Sequence, residues 1–344
     1  MTAIQWTDRV WNPVIGCSRV SAGCTNCYAE RDAARKSTNP KVPAYAGLAS
    51  FTPGGPRWSG EVRERPEKLA EPLSWQKPQR VFVNSMSDLF HEDVPDMAIA
   101  AVFGVMAACQ HMDFQVLTKR PERMRRWFAL AAEQQKPTTY GWCTGVAFLN
   151  MLRGEQYREA WRSRFTTMGP WPLPNVHLGV SVEDQATADE RIPILLDTPA
   201  AVRWVSAEPL LGPVDLRSPA AIACRTDPRP CWCGCHITCL DTCSRPHPHP
   251  LPAGHLGIDW VVVGGESGPG ARACDIEWIR SVVRQCREPS VPVFVKQLGA
   301  RVIGRDCEHG RAGASCGFLD RRGGDPAEWP DDLRWRQFPE VTHG

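Results

Sequence analysis

The chain has 344 residues, 42% of them apolar, and a formal net charge of only +2. That apolar share is ample for a large core, and the near-neutral balance creates no global field for nucleic acid or a membrane surface. No run approaches the roughly 18 apolar residues that a bilayer span needs, and the polar start, Met1 to Trp11, lacks a signal-peptide pattern, so a cytoplasmic protein is expected.

In chain order, a short strand is expected at Trp11–Gly16, immediately before a cysteine-bearing loop. The stretch from Lys36 to Leu73 is rich in Pro, Gly and Ser and reads as a long loop. Six short apolar runs follow, each ending in polar residues. Arg80–Val83 leads into Asn84-Ser85-Met86-Ser87-Asp88, and Phe114–Leu117 leads into Thr118-Lys119-Arg120. Val176–Val180 leads into Ser181-Val182-Glu183, and Arg203–Val205 into Ser206-Ala207-Glu208-Pro209. Trp260–Val263 leads into Gly264-Gly265-Glu266, and Val293–Val295 into Lys296-Gln297. Runs rich in β-branched residues, without polar alternation, suit strands buried on both faces of a parallel sheet. Helical spacing appears at Asp96–Gln110, at Pro121–Ala132 with Pro121 at the first helical position, and at Ile276–Arg287.

Strands alternating with helices give βα units. The predicted fold is therefore α/β: a single (βα) TIM-like barrel or partial barrel over residues 1–344, with parallel strands and loop insertions. A doubly wound open sheet is the competing arrangement. Polar clusters after nearly every strand favour the barrel, whose sites lie at the C-terminal rim, because an open sheet concentrates them at one switch point. Two insertions interrupt the pattern. Thr138–Pro174 carries Trp142, Trp161, Trp171, Tyr140 and Tyr157, and Leu216–Gly257 is dense in Cys, Pro and His. The polar tail, 301–344, is expected to pack on the barrel.

Fifteen cysteines in a reducing compartment call for an explanation other than disulfides. The most informative group is Cys17, Cys24 and Cys27, spaced C-x6-C-x2-C. Three thiolates on one compact loop can hold three irons of a four-iron cluster and leave the fourth open, whereas four cysteines are the rule for electron-transfer clusters. Soft thiolates select iron–sulfur or zinc, and a zinc site with a fourth ligand is the alternative. Gly16 and Gly23 let the backbone bend close. Helix formers from Tyr28 onward place Cys27 near a helix N-terminus, which favours a thiolate. In the second insertion, Cys231, Cys233, Cys235 and Cys239, with nearby histidines, form a candidate zinc site. The scattered cysteines read as buried structural thiols.

The cysteine loop, together with Asn84-Ser85-Met86-Ser87-Asp88-Leu89-Phe90, Leu117–Pro121, Ser206–Pro209, Val263–Gly268 and Val295-Lys296-Gln297, resembles the phage-associated three-Cys-motif family named for phage gene products thirty-seven and sixty-eight. The resemblance covers nearly the whole chain. That family is in turn similar to the radical S-adenosylmethionine superfamily. The resemblance implies a cluster-bearing (βα) barrel but supplies no substrate. Most of the superfamily has three residues in the first gap and an aromatic just before the last cysteine; here the gap is six, Asn26 holds that place, and Tyr28 follows.

On that resemblance the expected cofactors are a [4Fe-4S] cluster and S-adenosylmethionine. Ser85 and Asp88 suit its amino group, Lys119 and Arg120 its carboxylate, and Ser181 and Glu183 its ribose. Gly264 and Gly265 permit close backbone approach. The Gly-Gly-Glu here resembles a superfamily motif but falls near the end of the barrel, so that motif's role is not transferred. Glu208, Glu266 and Lys296 are the candidates for facing the substrate, and Lys296 is a further cation. Every one of these polar residues has a structural reading as a capping or solvated group. A nucleic acid or nucleotide is the expected substrate class: Arg120, Arg123, Arg125 and Arg126 make a basic helix start and Trp127 adds an aromatic. The competing function is a non-catalytic, zinc-stabilised nucleic-acid-binding protein. A partner protein encoded nearby and the oligomeric state are left open.

Overall fold

The apolar runs become parallel strands because each has too few polar side chains to turn either face to water. A computed structural model of the chain describes residues 4–133, 155, 159, 171–217, 257–304 and 318–340. Where the sequence reads as one domain, the contacts gather into two compact units: residues 1–181 with 200–202 and 340–344, and residues 182–199 with 203–339.

The first unit holds β1 (Arg9–Trp11), β2 (Arg80–Val83), β3 (Asp113–Thr118) and β4 (Val176–Ser181), all parallel and side by side in chain order. Trp11 is level with Val83, Val83 with Val116, and Val116 with Leu178. The strand expected at Trp11–Gly16 is divided. Pro13 offers no N–H to a ladder, and beyond it Val14–Ile15 turns to pair antiparallel with Arg63–Glu64. The expected long loop from Lys36 to Leu73 also contains a hairpin, Ala49–Thr52 with Gly55–Trp58, whose signal is the Pro53-Gly54-Gly55 turn.

Among the described residues, three helices of ten residues or more belong to this unit. α1 (Tyr28–Ser37) lays the small side chains Ala29, Ala33 and Ala34 against Ile15, Tyr45, Leu48, Ala49 and Met86, so the hairpin approaches closely. α2 (Asp96–Ala108) is buried on nearly every side, and α3 (Pro121–Glu133) inserts Met124, Trp127 and Phe128 into the core.

The second unit holds β5 (Val202–Ala207), β6 (Trp260–Gly264) and β7 (Val293–Gln297), parallel and adjacent in that order, with Val261 level with both Val205 and Val293. α4 (Gln185–Leu196) starts with a reciprocal cap in which Asp184 accepts the Thr187 N–H. This helix, with Pro193 inside it, is not among the expected elements. α5 (Ile276–Arg287) buries Ile276, Ile279, Val283 and Cys286 on one stripe and is capped by Asp275. The tail runs antiparallel beside β7: Val295 N–H donates to Trp335 O at 2.8 Å, and Gln337 N–H to Val293 O at 3.0 Å.

Seven parallel strands with helices between them make this an α/β fold. Among the described residues, no helix is long and apolar enough to cross a membrane. Cys231, Cys233, Cys235 and Cys239 lie outside the described residues, as does most of Thr138–Pro174.

Candidate metal centre

The cysteine loop leaves the short Val14–Ile15 strand at Gly16. Gly16 has φ +92°, and a Cβ there would meet Glu61 O at 2.2 Å, so only glycine fits the turn. Its N–H donates to Met86 O at 3.1 Å, tying the loop to the segment after β2. A single 3-10 turn, Ala22–Cys24, then carries the chain to Cys27, the N-cap of α1.

Cys17, Cys24 and Cys27 are unpaired thiols, each half-buried. Burial, and then the charge of Asp88, push the Cys17 thiol up to about 12, while Arg120 pulls the other way. Burial also raises Cys27, opposed by the backbone N–H groups of Glu30 and Ala29 and by Lys119. Cys27 charge acts on Cys17, and Cys24 charge on Cys27, so the three are electrical neighbours. Among the described residues, no three His, Cys, Asp or Glu side chains are gathered tightly enough to hold a single metal ion. Thiolates that each take a different iron of a cluster stand farther apart than ligands sharing one ion. Coordination deprotonates a thiol outright, so a bound cation would reverse the raised values of Cys17 and Cys27. Three thiols are the soft donors that a cluster takes, one to each of three irons.

A polar network holds Cys17. Arg120 Nη1 donates toward Cys17 Sγ at 3.7 Å and to Asp88 Oδ2 at 3.2 Å, while Nη2 donates to Ser18 O at 3.0 Å and Ser18 Oγ at 2.9 Å. Asp88 is buried. Its Oδ1 also accepts from Thr118 Oγ1 (2.7 Å) and Phe90 N–H (3.0 Å), and Oδ2 from Lys119 N–H (3.0 Å). Its carboxylate is therefore committed to organising the ends of β2 and β3. His91 Nδ1 accepts the Asp93 N–H at 3.2 Å, which assigns the ring proton to Nε2, 2.8 Å from Ser18 Oγ. Burial, and then Arg120, hold His91 below its ordinary pKa, so the ring is neutral near pH 7. Ser85 Oγ donates to Asn12 Oδ1 at 3.2 Å, and Ser85 O accepts from Tyr28 Oη at 3.0 Å.

Of the residues expected from sequence, Ser85, Asp88, Lys119 and Arg120 thus come together with the cysteine loop in the first unit. Ser181 is buried at the end of β4. The others lie in the second unit. Glu183 is fully buried, with Arg191 Nη1 3.3–3.4 Å from its two oxygens. Glu266 accepts from Arg272 N–H (2.8 Å), Nε (3.0 Å) and Nη2 (2.7 Å). Glu208 meets Lys296 Nζ at 2.5 Å and Gln297 Nε2 at 3.3 Å. Gly264 and Gly265 do permit close backbone approach, and what they approach is their own strand neighbour: a Cβ on Gly265 would meet Leu298 O at 2.2 Å, and one on Gly264 would meet Gln297 O at 2.8 Å.

The basic start of α3 is neutralised. Arg123 pairs with Asp96, Arg125 with Glu122 at 2.7 Å and Arg126 with Glu92 at 3.2 Å. Trp127, expected as a stacking aromatic, is buried with its ring 4.9 Å from that of Phe103. A base cannot reach it, and its role is core packing. Cys274 and Cys286 are buried thiols pushed up to about 12 by burial, which keeps them protonated and structural. Ser18, Arg19, Glu30, His91 and Arg272 are site residues that the motifs did not mark. Their partners lie in other elements or turns, and only the spacing of Arg19 before a helix-borne Glu30 offered a hint.

These features define an α/β protein of parallel strands that carries a three-thiol loop backed by a buried Arg–Asp pair. The chain belongs to the family described as protein of unknown function DUF5131, whose model matches residues 1–321. No curated protein and no solved structure matches it.

Proposed function

We propose that this chain is an iron–sulfur enzyme of the radical S-adenosylmethionine type, built on a partial (βα) TIM-like barrel. The observation that carries the reading is the trio Cys17, Cys24 and Cys27, unpaired and half-buried on one loop, with a buried guanidinium at the first sulfur and a helix N-terminus at the last. Cys17, Cys24 and Cys27 would hold a four-iron cluster, which, once reduced by an external electron donor, would supply the electron for cleaving a carbon–sulfur bond of S-adenosylmethionine.

The chain's own residues would do the rest. Arg120, held by Asp88 and Ser18, keeps Cys17 oriented and screens it from water. Lys119, whose charge favours the Cys27 thiolate, would receive a cofactor carboxylate. The ring of Tyr28, 54% exposed and anchored through its hydroxyl to Ser85 O, offers a flat face beside Cys27. In the second unit, Lys296 Nζ meets Glu208 Oε1 at 2.5 Å, supported by Gln297 Nε2 at 3.3 Å. That pair is the best-formed acid–base couple among the candidates for substrate.

The test is anaerobic purification of the full chain with iron, sulfide and zinc counts, then EPR of the dithionite-reduced protein with and without S-adenosylmethionine. A four-iron signal that shifts on adding the cofactor, with formation of 5′-deoxyadenosine, supports the reading. Zinc at the loop and no cluster after reconstitution overturns it and puts the zinc-stabilised nucleic-acid-binding protein in front.

A further inference from the structure

We infer that Arg120 and Asp88 set the reduction potential of the cluster held by Cys17, Cys24 and Cys27, and that they do so with opposite signs; the inference rests on the iron–sulfur reading above. One nitrogen carries the argument. Arg120 Nη1 stands 3.7 Å from Cys17 Sγ and 3.2 Å from Asp88 Oδ2. The cation therefore touches the sulfur directly, and the anion lies one nitrogen behind it.

Reduction adds one negative charge to a cluster and its thiolates. A charge-assisted hydrogen bond to a ligating sulfur stabilises that added charge and raises the potential, and a nearby carboxylate opposes it. The effect is strong here because both groups are sheltered: the side chains of Arg120 and Asp88 are each 8% exposed, so water screens them little. Neither can relax away. The second guanidinium nitrogen is fixed by Ser18 O and Ser18 Oγ, and the carboxylate by Thr118, Phe90 N–H and Lys119 N–H. Only a planar fork reaches the sulfur, the carboxylate and both Ser18 oxygens at once, which is why lysine is a poor substitute. Arg120 and Asp88 are in this sense positioning residues, since they act through a cysteine ligand.

The experiment is a mediated redox titration of the reconstituted full chain, followed by EPR, with iron content and thermal midpoint measured for each variant. Arg120→Gln lowers the midpoint potential, Asp88→Asn raises it, and Arg120→Lys lowers it less than Arg120→Gln. A merely structural role would move iron content or stability without this pattern of signs. Should Arg120→Gln not fold, Arg120→Lys and Asp88→Asn still give the two signs. Variants that keep the cluster and share the wild-type potential, or shift it in the same direction, overturn the inference and leave the iron–sulfur reading standing. A wild-type chain that assembles no cluster overturns both.

Discussion

Arg19 closes on Glu30 across the cysteine loop. Its Nε lies 3.1 and 3.0 Å from the two carboxylate oxygens, and its Nη2 reaches Thr25 O at 3.0 Å and Pro56 O at 3.2 Å. Glu30 is 1% exposed and also accepts the Trp58 N–H at 2.8 Å. One ion pair thus straps the segment between Cys17 and Cys27 to α1 and to the hairpin beneath it. The loop is held by these contacts.

Removing Arg19 leaves the Glu30 carboxylate buried with one N–H donor. Arg19→Met is expected to cost about 2–3 kcal/mol, the scale of a broken, largely buried pair, and to lower iron uptake on reconstitution. Thermal denaturation of the apo chain reads the first effect and an iron count the second. Full stability together with full iron loading in that variant would mean that the strap does not shape the loop.

Gly16 is the other constraint on the loop. An alanine Cβ would lie 2.2 Å from Glu61 O, a backbone atom that cannot swing aside, and φ +92° strains any L side chain. The two costs together are expected to exceed about 2 kcal/mol in Gly16→Ala, read as a shift in the denaturant midpoint. Gly55 and Gly60 also have positive φ, but a Cβ at either meets nothing within 4 Å. Alanine there is expected to cost about 1 kcal/mol, from conformation alone.

How much of this was legible in the sequence depends on the range of the interaction. The strands at 80–83, 113–118, 176–181, 202–207, 260–264 and 293–297 were legible, because burial on both faces demands unbroken apolar runs. α5 was legible because its apolar stripe is clean. α4 was not, because Pro193 and a mixed face hide its period. The thiol loop was legible from spacing alone. The partners were not. Nothing local ties Asp88 to Arg120 or Glu208 to Lys296, and the pleat that brings those strand ends together is a property of the sheet. Trp127 shows the opposite error: an aromatic in a basic run suggested stacking, while its helical spacing with Met124 and Phe128 placed it inside.

Asp8 gives a pH prediction. Its carboxylate accepts from Arg80 N–H at 2.9 Å, Nε at 3.0 Å and Nη2 at 2.9 Å, joining the segment before β1 to the start of β2. The Arg80 guanidinium is the chief cause holding its pKa below the ordinary aspartate value. A depressed folded-state pKa contributes stability above the unfolded value, and that contribution is lost as pH falls through the folded one. The pair is partly exposed, so the contribution is about 0.5–1 kcal/mol. Asp8→Asn is therefore expected to be slightly less stable near pH 7, and the difference to shrink as acid protonates the wild-type carboxylate. Parallel urea titrations of the two chains across that range measure it; a difference that does not change with pH would remove the carboxylate's charge from the account.

Glu183 separates two readings of one residue. From sequence it suits a ribose hydroxyl, yet in the fold it is fully buried against Arg191, itself 3% exposed. Breaking such a pair removes the charge that Glu183 sets against a buried guanidinium, so Glu183→Gln is expected to cost about 3–5 kcal/mol. The double variant Glu183→Leu/Arg191→Met removes both charges and is expected to recover most of that loss, since apolar groups of similar volume tolerate the same site. Below its unfolding temperature, Glu183→Gln is expected to respond to added S-adenosylmethionine no differently from the wild type. Stability equal to wild type combined with weakened cofactor binding would return Glu183 to the ribose. Lost stability, rescued by the double variant, assigns the pair to the architecture that fixes the start of α4.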